Sequence, residues 1–390
     1  MNKNQANESI LIINAGSSSI KFSLYNLSLT LIYHGEIEYL SEKLQITIFN
    51  EKNELITKEI ITEKDYEAGL NYLFSWMENL PVNFHLLAVG HRVVHGGCFY
   101  DSPILIDKDS IRKLTSLNTL APLHQSYNLA FIKSILKLYP QLPQVACFDT
   151  SFHRTQDKIA TLFALPRDLT EDGILRYGFH GISYEYIASV LPPPIKDKKV
   201  IVAHLGNGAS LCAMKQGKSI ATSMGFTALD GLMMGTRCGS IDPGIILYLL
   251  QEKKYSVNEL SDLLYKKSGL LGVSGMSSDM RELQSSKDIN AIEAVDLFCY
   301  RAAREICALT SSLHGCDAII FTAGIGEHSV PVRKKICDRL DWLGVVLDES
   351  ANARNSAKIS QSHSKIYVGV IPTNEGYMIA KHTLKVVLDR

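Results

Sequence analysis

Ile10-Leu11-Ile12-Ile13-Asn14-Ala15-Gly16-Ser17-Ser18-Ser19-Ile20-Lys21-Phe22-Ser23-Leu24-Tyr25 is the stretch on which the fold turns. It opens as an uninterrupted apolar run, the pattern of a buried strand. After Asn14-Ala15-Gly16 and three serines it alternates, with Ile20, Phe22 and Leu24 on one face and Lys21, Ser23 and Tyr25 on the other. Strand, polar turn, strand is the expected order. A Walker loop or a dinucleotide fingerprint would run from strand into helix instead. A Gly/Ser turn at a strand end can bring backbone N–H groups and hydroxyls to a phosphate, and Lys21 would add positive charge. An ordinary hairpin turn is the alternative, and the stretch by itself leaves both open.

Val200-Ile201-Val202-Ala203-His204-Leu205-Gly206-Asn207-Gly208-Ala209-Ser210-Leu211-Cys212-Ala213-Met214 repeats the layout: apolar strand, Gly/Asn turn, second strand. One such hairpin in each half of the chain points to an internal duplication. It also points to two loops able to grip one polyphosphate from opposite sides.

The bulk numbers narrow the class. At 390 residues, 46% of them hydrophobic, the chain exceeds one typical core, which predicts two domains. Lys and Arg total 40 against 40 Asp and Glu, so nothing calls for nucleic acid or an anionic membrane surface. No apolar run is long enough to span a bilayer, and Met1 to Glu8 carries no apolar signal region. The eight cysteines are scattered without a C-x-x-C pair, as expected for reduced core residues of a cytoplasmic protein.

Along the chain, short alternations between Leu29 and Ile61 predict strands that continue one mixed sheet. Tyr66, Leu70, Leu73, Phe74 and Met77 fall at helical spacing, with Pro81 after the end. Leu86 to Gly90 is a predicted strand, and His91-Arg92-Val93-Val94-His95-Gly96-Gly97 lies at its end. Ala121-Pro122-Leu123-His124 precedes a predicted helix from about Ser126 to Tyr139, and Val145 to Phe148 is a strand ending on Asp149. Arg176-Tyr177-Gly178-Phe179-His180-Gly181 reads as a Gly-flanked loop, and Ser223 to Asp242 as a Gly- and Met-rich segment carrying Arg237. A long helix is expected from about Ala291 to Leu313, with Ile292, Val295, Ala302, Ile306, Leu309 and Leu313 on one face. Ala318 to Phe321 then leads through a glycine loop, Thr322 to Glu327, to a helix capped by Ser329. A closing helix runs from about Glu375 to Leu388.

Polar residues stand where apolar strands stop, which is where open α/β sheets place their sites. Arg92, His124, Asp149, His180, Arg237 and Glu375 share one setting, a Gly- or Pro-punctuated loop beside an apolar run. A buried arginine needs an anionic partner. Each of these residues alone has a structural salt bridge or a solvated loop as its alternative. His91 and His95 are four apart, but Val-Val between them and Gly-Gly after them favour strand and turn over a helical zinc pair. Asp149 and Glu375 suit Mg²⁺, which prefers carboxylates, keeps several waters and bridges nucleotide phosphates.

In these residues the chain resembles the acetate kinases of the acetokinase family. The resemblance lies in Asn14 to Phe22, Phe148-Asp149-Thr150, Arg176 to Gly181, His204 to Ser210, Met234 to Arg237, Gly324 to Glu327 and Pro372-Thr373-Asn374-Glu375, in order and across nearly the whole chain. It implies an α/β, duplicated fold of the actin, sugar-kinase and chaperone-ATPase kind, with two domains around a nucleotide cleft. The expected division is 1–150 plus 377–390 and 151–376. It implies reversible transfer of the ATP γ-phosphoryl group to acetate, giving acetyl phosphate and ADP, in a homodimer with Mg²⁺ or Mn²⁺. By the resemblance, Arg92, Asp149, His180 and Arg237 are catalytic, and Asn14 and Glu375 hold the metal. Arg92, Val94, Leu123, His124 and Phe179 bind the substrate. Ser17, Ser19, Lys21, the run His204, Leu205, Gly206, Asn207 and Gly208, then Asp279, Met280 and Arg281, and Gly324, Ile325, Gly326, Glu327 and His328 line ATP.

Phosphoryl transfer is mostly positioning and charge neutralisation, which two arginines and a histidine can supply. Acetate is already ionised at neutral pH. Asp149 is therefore expected to orient Arg92 or a metal-bound water rather than remove a proton. The sequence also departs from the family. Ala228 stands where proline is usual, which predicts more room for the methyl group and better tolerance of propionate. Gln125-Ser126 replaces Asn-Pro, Gly376 a second glutamate, His328 an asparagine, and Tyr184 a histidine. Three alternatives differ in output: a kinase for propionate or butyrate, a sugar kinase needing a base for its hydroxyl, and an ATP-driven clamp with no acid substrate.

Overall fold

A computed structural model describes residues 7–16, 19–40, 43–62, 66–80, 84–121 and 125–389. Ser17, Pro81, Pro122, Leu123 and His124 lie outside the described residues. The chain divides into two compact units, Met1–Ser151 with Asn374–Arg390, and Phe152–Thr373.

In the first unit the strands are β1 (Asn7–Ala15), β2 (Ser19–Asn26), β3 (Leu31–Leu40), β4 (Lys43–Asn50), β5 (Leu55–Ile61), β6 (Phe84–Val93), β7 (Ile104–Leu105) and β8 (Gln144–Phe148). They form one sheet in the order β5-β4-β3-β2-β1-β6-β8-β7. β1 and β2 make the expected antiparallel hairpin, with Asn14 opposite Lys21. In the second unit β9 (Lys199–Leu205), β10 (Ala209–Lys215), β11 (Lys218–Thr222), β12 (Ala318–Thr322) and β13 (Tyr367–Val370) pair in the order β11-β10-β9-β12-β13. The run β3-β2-β1-β6-β8 matches this second sheet strand for strand. Each has two antiparallel neighbours on the hairpin side and two parallel strands on the other. The duplication expected from the paired hairpins is therefore a property of the topology, and the fold is the duplicated α/β one.

Alternation explains the packing of the first sheet. Leu11, Ile13, Ile20, Phe22 and Leu24 join Leu70, Leu73 and Phe74 of the helix Tyr66–Glu78 and Phe131 and Ile135 of the helix Gln125–Leu138 in one core. The opposite face is covered by the helix Glu375–Leu388, so Tyr25 is buried although it lies on the polar side of β2. Gly90 permits that close approach, because a Cβ there would fall 2.2 Å from Thr383 Oγ1 and 2.8 Å from Ile379 Cγ2.

Several expectations are corrected. β6 continues through His91, Arg92 and Val93, because the parallel ladder with Ala146, Cys147 and Phe148 of β8 extends it. Arg92 is thus a strand residue and not a loop residue. The glycine segment after β12 folds as a helix, Ala323–His328, entered through a left-handed Ala323 at φ 65°. Ile292 is exposed, because the buried stripe of the helix Ile289–Leu313 runs through Ala291, Ala294, Val295 and Phe298. All eight cysteines are free, but Cys98 is exposed and so is no core residue. No helix among the described residues is long and apolar enough to cross a membrane.

Candidate active site

In the first unit the sheet brings together residues far apart in sequence. Asn14 stands near the end of β1, Arg92 near the end of β6, and Asp149 just after β8, where its backbone N–H donates to Val93 at 3.1 Å. Glu375 opens the last helix. Arg92 donates from Nε to Asp149 Oδ1 at 3.0 Å, from Nη2 to Asp149 Oδ2 at 2.5 Å and from Nη1 to Asn14 Oδ1 at 3.2 Å. A Glu375 oxygen lies 3.9 Å from its Nε. Burial opposes the guanidinium charge, but Asp149 and Glu375 outweigh it and hold Arg92 more firmly protonated than an ordinary arginine. The Asp149 side chain is only 1% exposed. Its carboxylate is engaged with Arg92, as an orienting group would be.

The loop after β6 is fixed from the helix Gln125–Leu138. Asn128 donates from Nδ2 to the Ala15 carbonyl at 2.8 Å and accepts the Val94 N–H at 3.1 Å. Gln125 accepts the His95 N–H at 3.1 Å and donates to the His95 carbonyl at 3.0 Å. Sequence reasoning missed Asn128. Its signal was a polar residue on the buried face of an otherwise apolar helix. Val94 is buried beside this brace. His91 faces Gln144 at 2.7 Å rather than His95, and burial holds its pKa down to about 4. Among the described residues no group of three or more His, Cys, Asp or Glu could hold a metal. Asn14, Asp149 and Glu375 are hard oxygen donors, and a set this small suits an ion that keeps most of its own waters.

The second unit gathers the other residues. His180 takes a left-handed turn, φ 58°, before the helix Gly181–Val190. The carbonyl of the buried Phe179 is 2.9 Å from Nε2 of His153, whose pKa burial pushes down to about 4. The rings of His180 and His204 stack at 4.1 Å. Arg237 donates from Nη1 to the Ala228 carbonyl at 2.8 Å. The loop bearing Ala228 is itself held by Arg176, which donates to the Ser223 carbonyl and pairs with Asp230, both at 3.2 Å. A Cβ on Gly208 would lie 3.3 Å from His180 Nε2 and 3.5 Å from Arg237 Nη2. Two nitrogens thus converge on one point beside the turn between β9 and β10, an arrangement that stabilises developing negative charge when both carry protons.

A cavity of about 550 Å³ lies in the same unit, lined by Gly206, Asn207, Asp279, Met280, Arg281, Gly324, Ile325 and His328. Ser278, Gln284 and Ser329 line it too and were not foreseen; Gln284 donates to Ser329 Oγ at 2.7 Å. Asp279 caps the turn by accepting the Arg281 N–H and pairs with the Arg281 side chain, whose hydrogen bond takes it down to about 2. Gly326 and Glu327 do not line this cavity. Glu327 accepts the N–H groups of Ala323 at 2.7 Å and Thr373 at 3.0 Å, pinning the short helix in place. His204, Leu205 and Gly208 also lie outside the lining. In the first unit Ser19 closes the hairpin turn, its carbonyl accepting the Gly16 N–H at 2.8 Å, and Lys21 is exposed.

Comparison with known proteins decides what this arrangement belongs to. The family model of the acetokinase family matches residues 9–381. The chain belongs to the acetokinase family. It is similar to an acetate kinase of Rhodopseudomonas palustris, 49% identical over 385 residues, covering 96% of this chain and 97% of the relative. Among solved structures it is similar to a propionate kinase from Francisella tularensis, 37% identical with TM-score 0.91 over 97% of this chain and 100% of the other. It is similar, too, to an acetate kinase from Porphyromonas gingivalis, 34% identical with TM-score 0.87, over 97% of this chain and 100% of the other. Acetokinase family membership accounts for the order of the motifs along the chain, and the duplicated sheets are its fold.

Proposed function

We propose that the chain is an acetate kinase, a phosphotransferase that moves the γ-phosphoryl group of ATP to acetate and back. The convergence of His180 Nε2 and Arg237 Nη2 beside Gly208 carries this reading. These two groups bind the oxygens of the moving phosphoryl group, while the nucleotide occupies the cavity bounded by Asn207, Arg281 and Gly324. Arg92, aimed by Asp149 and Asn14, neutralises the acceptor carboxylate. No residue is needed to take a proton from an acid that is ionised at pH 7. By the family resemblance, Val94, Leu123, His124 and Phe179 are the residues that bind acetate. Asn14 and Glu375 hold Mg²⁺, which when bound neutralises phosphate charge.

The decisive measurement is a hydroxylamine trap for acyl phosphate with ATP, Mg²⁺ and acids of increasing chain length. Acetyl hydroxamate is expected, with propionyl hydroxamate formed more readily than by Ala228→Pro. One methylene in an apolar pocket is worth about 1–3 kcal/mol, so the variant is expected to lower the propionate-to-acetate kcat/KM ratio about ten-fold. Because Ala228 contributes its carbonyl to Arg237, which proline retains, acetate turnover should change little. An unchanged ratio would remove Ala228 from the specificity account, and no hydroxamate with any acid would remove the kinase reading.

The working form is a homodimer in the cytoplasm. The helix Pro243–Gln251 has no buried residue although it is almost wholly apolar, and Ile245, Leu247 and Tyr248 are 47%, 55% and 51% exposed. An apolar helix left uncovered marks an association face, and symmetric dimers are the commonest assembly. Free thiols throughout fit a reducing compartment. Sedimentation of Leu247→Glu is expected to give monomer where the wild type gives dimer; a dimer retained by the variant would move the interface elsewhere.

A further inference from the structure

We propose that the hydroxyl chain Tyr184–Ser210 fixes His180 as a neutral imidazole whose Nε2–H, not Nδ1–H, faces the transferring phosphoryl group. The role assigned to that proton rests on the kinase reading above, but the position of the proton does not. Ser210 sits on β10 directly across from His204 on β9. Its Oγ is 2.8 Å from His180 Nδ1 and 2.5 Å from the Tyr184 hydroxyl. Tyr184 is wholly buried, and among the described residues its hydroxyl bonds only Ser210.

A serine hydroxyl has one proton to give and lone pairs to accept with. If Tyr184 donates to Ser210, the serine must send its own proton to His180 Nδ1. Nδ1 then accepts, and the ring proton resides on Nε2. The reverse polarity runs Nδ1–H to Ser210 and Ser210 to the Tyr184 oxygen. It strands the phenolic proton in the interior, and an unsatisfied buried donor is costly. An imidazolium needs Nδ1–H as well and meets the same obstacle.

The surroundings agree. His204 stacks on His180 from β9, and Arg237 Nη2 approaches the same Gly208 position. Behind Tyr184 stand the His153 ring at 5.6 Å and the Cys212 thiol. Burial keeps His153 neutral, with a pKa down to about 4, and pushes the Cys212 thiol up to about 12. Burial also raises the Tyr184 hydroxyl well above 10, so its proton stays in place. Arg237, whose Nη2 approaches the same point, opposes a second proton on His180. Ser210 is thus a positioning residue. Through it His180 presents a donor at the point where Arg237 presents another, without drawing a proton from solution.

The test is the ¹⁵N spectrum of histidine-labelled full-length protein, without nucleotide or acetate, with His180 assigned by loss of its signals in His180→Gln. At pH 7 and at pH 6 the wild type is expected to show a protonated Nε2 and an unprotonated Nδ1. Ser210→Ala strands the tyrosine proton in every state and so removes the bias. Forms with Nδ1 protonated should rise about ten-fold or more, and kcat should fall about ten-fold with KM for ATP unchanged. Ser210→Thr, which keeps the hydroxyl, should restore both. A wild-type spectrum showing Nδ1–H or an imidazolium at pH 7 overturns the proposal even if no variant folds. So does an Nε2–H tautomer that survives intact in Ser210→Ala. Absence of acyl phosphate beside the expected spectrum would sink the kinase reading alone.

Discussion

Arg237→Ala is expected to lower kcat for acetyl phosphate formation by about 10³–10⁵-fold, the range for an arginine that acts on the charge of a phosphoryl transition state. The loss should fall on kcat and spare KM for ATP, because Arg237 does not line the nucleotide cavity. The variant's far-ultraviolet circular dichroism should match the wild type, since the change removes a side-chain bond to the Ala228 carbonyl and leaves the backbone of that loop in place. Lysine should not rescue the loss. One guanidinium holds the Ala228 carbonyl through Nη1 while Nη2 lies near the Gly208 position, and a single ammonium cannot do both. Added guanidinium chloride at millimolar concentration should restore part of the rate to the alanine variant and none to the wild type. An alanine variant within ten-fold of wild type would take Arg237 out of the chemistry.

Asp149→Asn carries the second large effect, and its pattern separates two roles. The wild-type carboxylate binds Arg92 Nε and Nη2 at 3.0 Å and 2.5 Å and is almost completely buried. Removing one partner from a buried pair costs about 3–5 kcal/mol. Spent on misdirecting Arg92, that corresponds to about 10²- to 5 × 10³-fold in kcat/KM for acetate. The shape of the pH profile should not change, since no proton is removed from an acetate ion. Extra Mg²⁺ should return part of the activity if the freed Arg92 now competes with the metal for Asn14 and Glu375. In an Arg92→Ala background the same substitution should cost little more, because the two residues act as one unit. Loss of the acidic limb of the profile in Asp149→Asn would show instead that its carboxylate works as a base. Additive losses in the double variant would separate Asp149 from Arg92.

Local pattern was enough for much of the framework. The switch from an apolar run through a polar turn to alternation at Asn14–Ser19 states a hairpin by itself, and an apolar run, a Gly/Asn turn and a second strand around Gly206–Gly208 state another. Their repetition was legible as a duplication before any strand was paired. The helices Tyr66–Glu78 and Glu375–Leu388 were equally readable, since helical spacing of apolar residues depends only on neighbours in the chain. The residue types that carry charge chemistry were readable as well, because a strand-end arginine or histidine stands out against apolar flanks.

Partners at long separation were not readable. Arg92 meets Asp149 across 57 positions and Asn14 across 78, and nothing in either local pattern names the other. β6 runs through Arg92 only because β8 lies alongside to extend its ladder. Tyr25 is buried only because the last helix covers the face that alternation assigned to solvent. The glycine segment Ala323–His328 closes into a helix because Glu327 turns back to accept the Ala323 and Thr373 N–H groups. Tyr184, a departure from the family pattern, is linked to His180 only through Ser210, 26 positions from one and 30 from the other. Periodicity encodes which face a residue takes. Which donor meets which acceptor is settled only when distant strands pair and bury them together, where an unpaired polar group is too costly to leave.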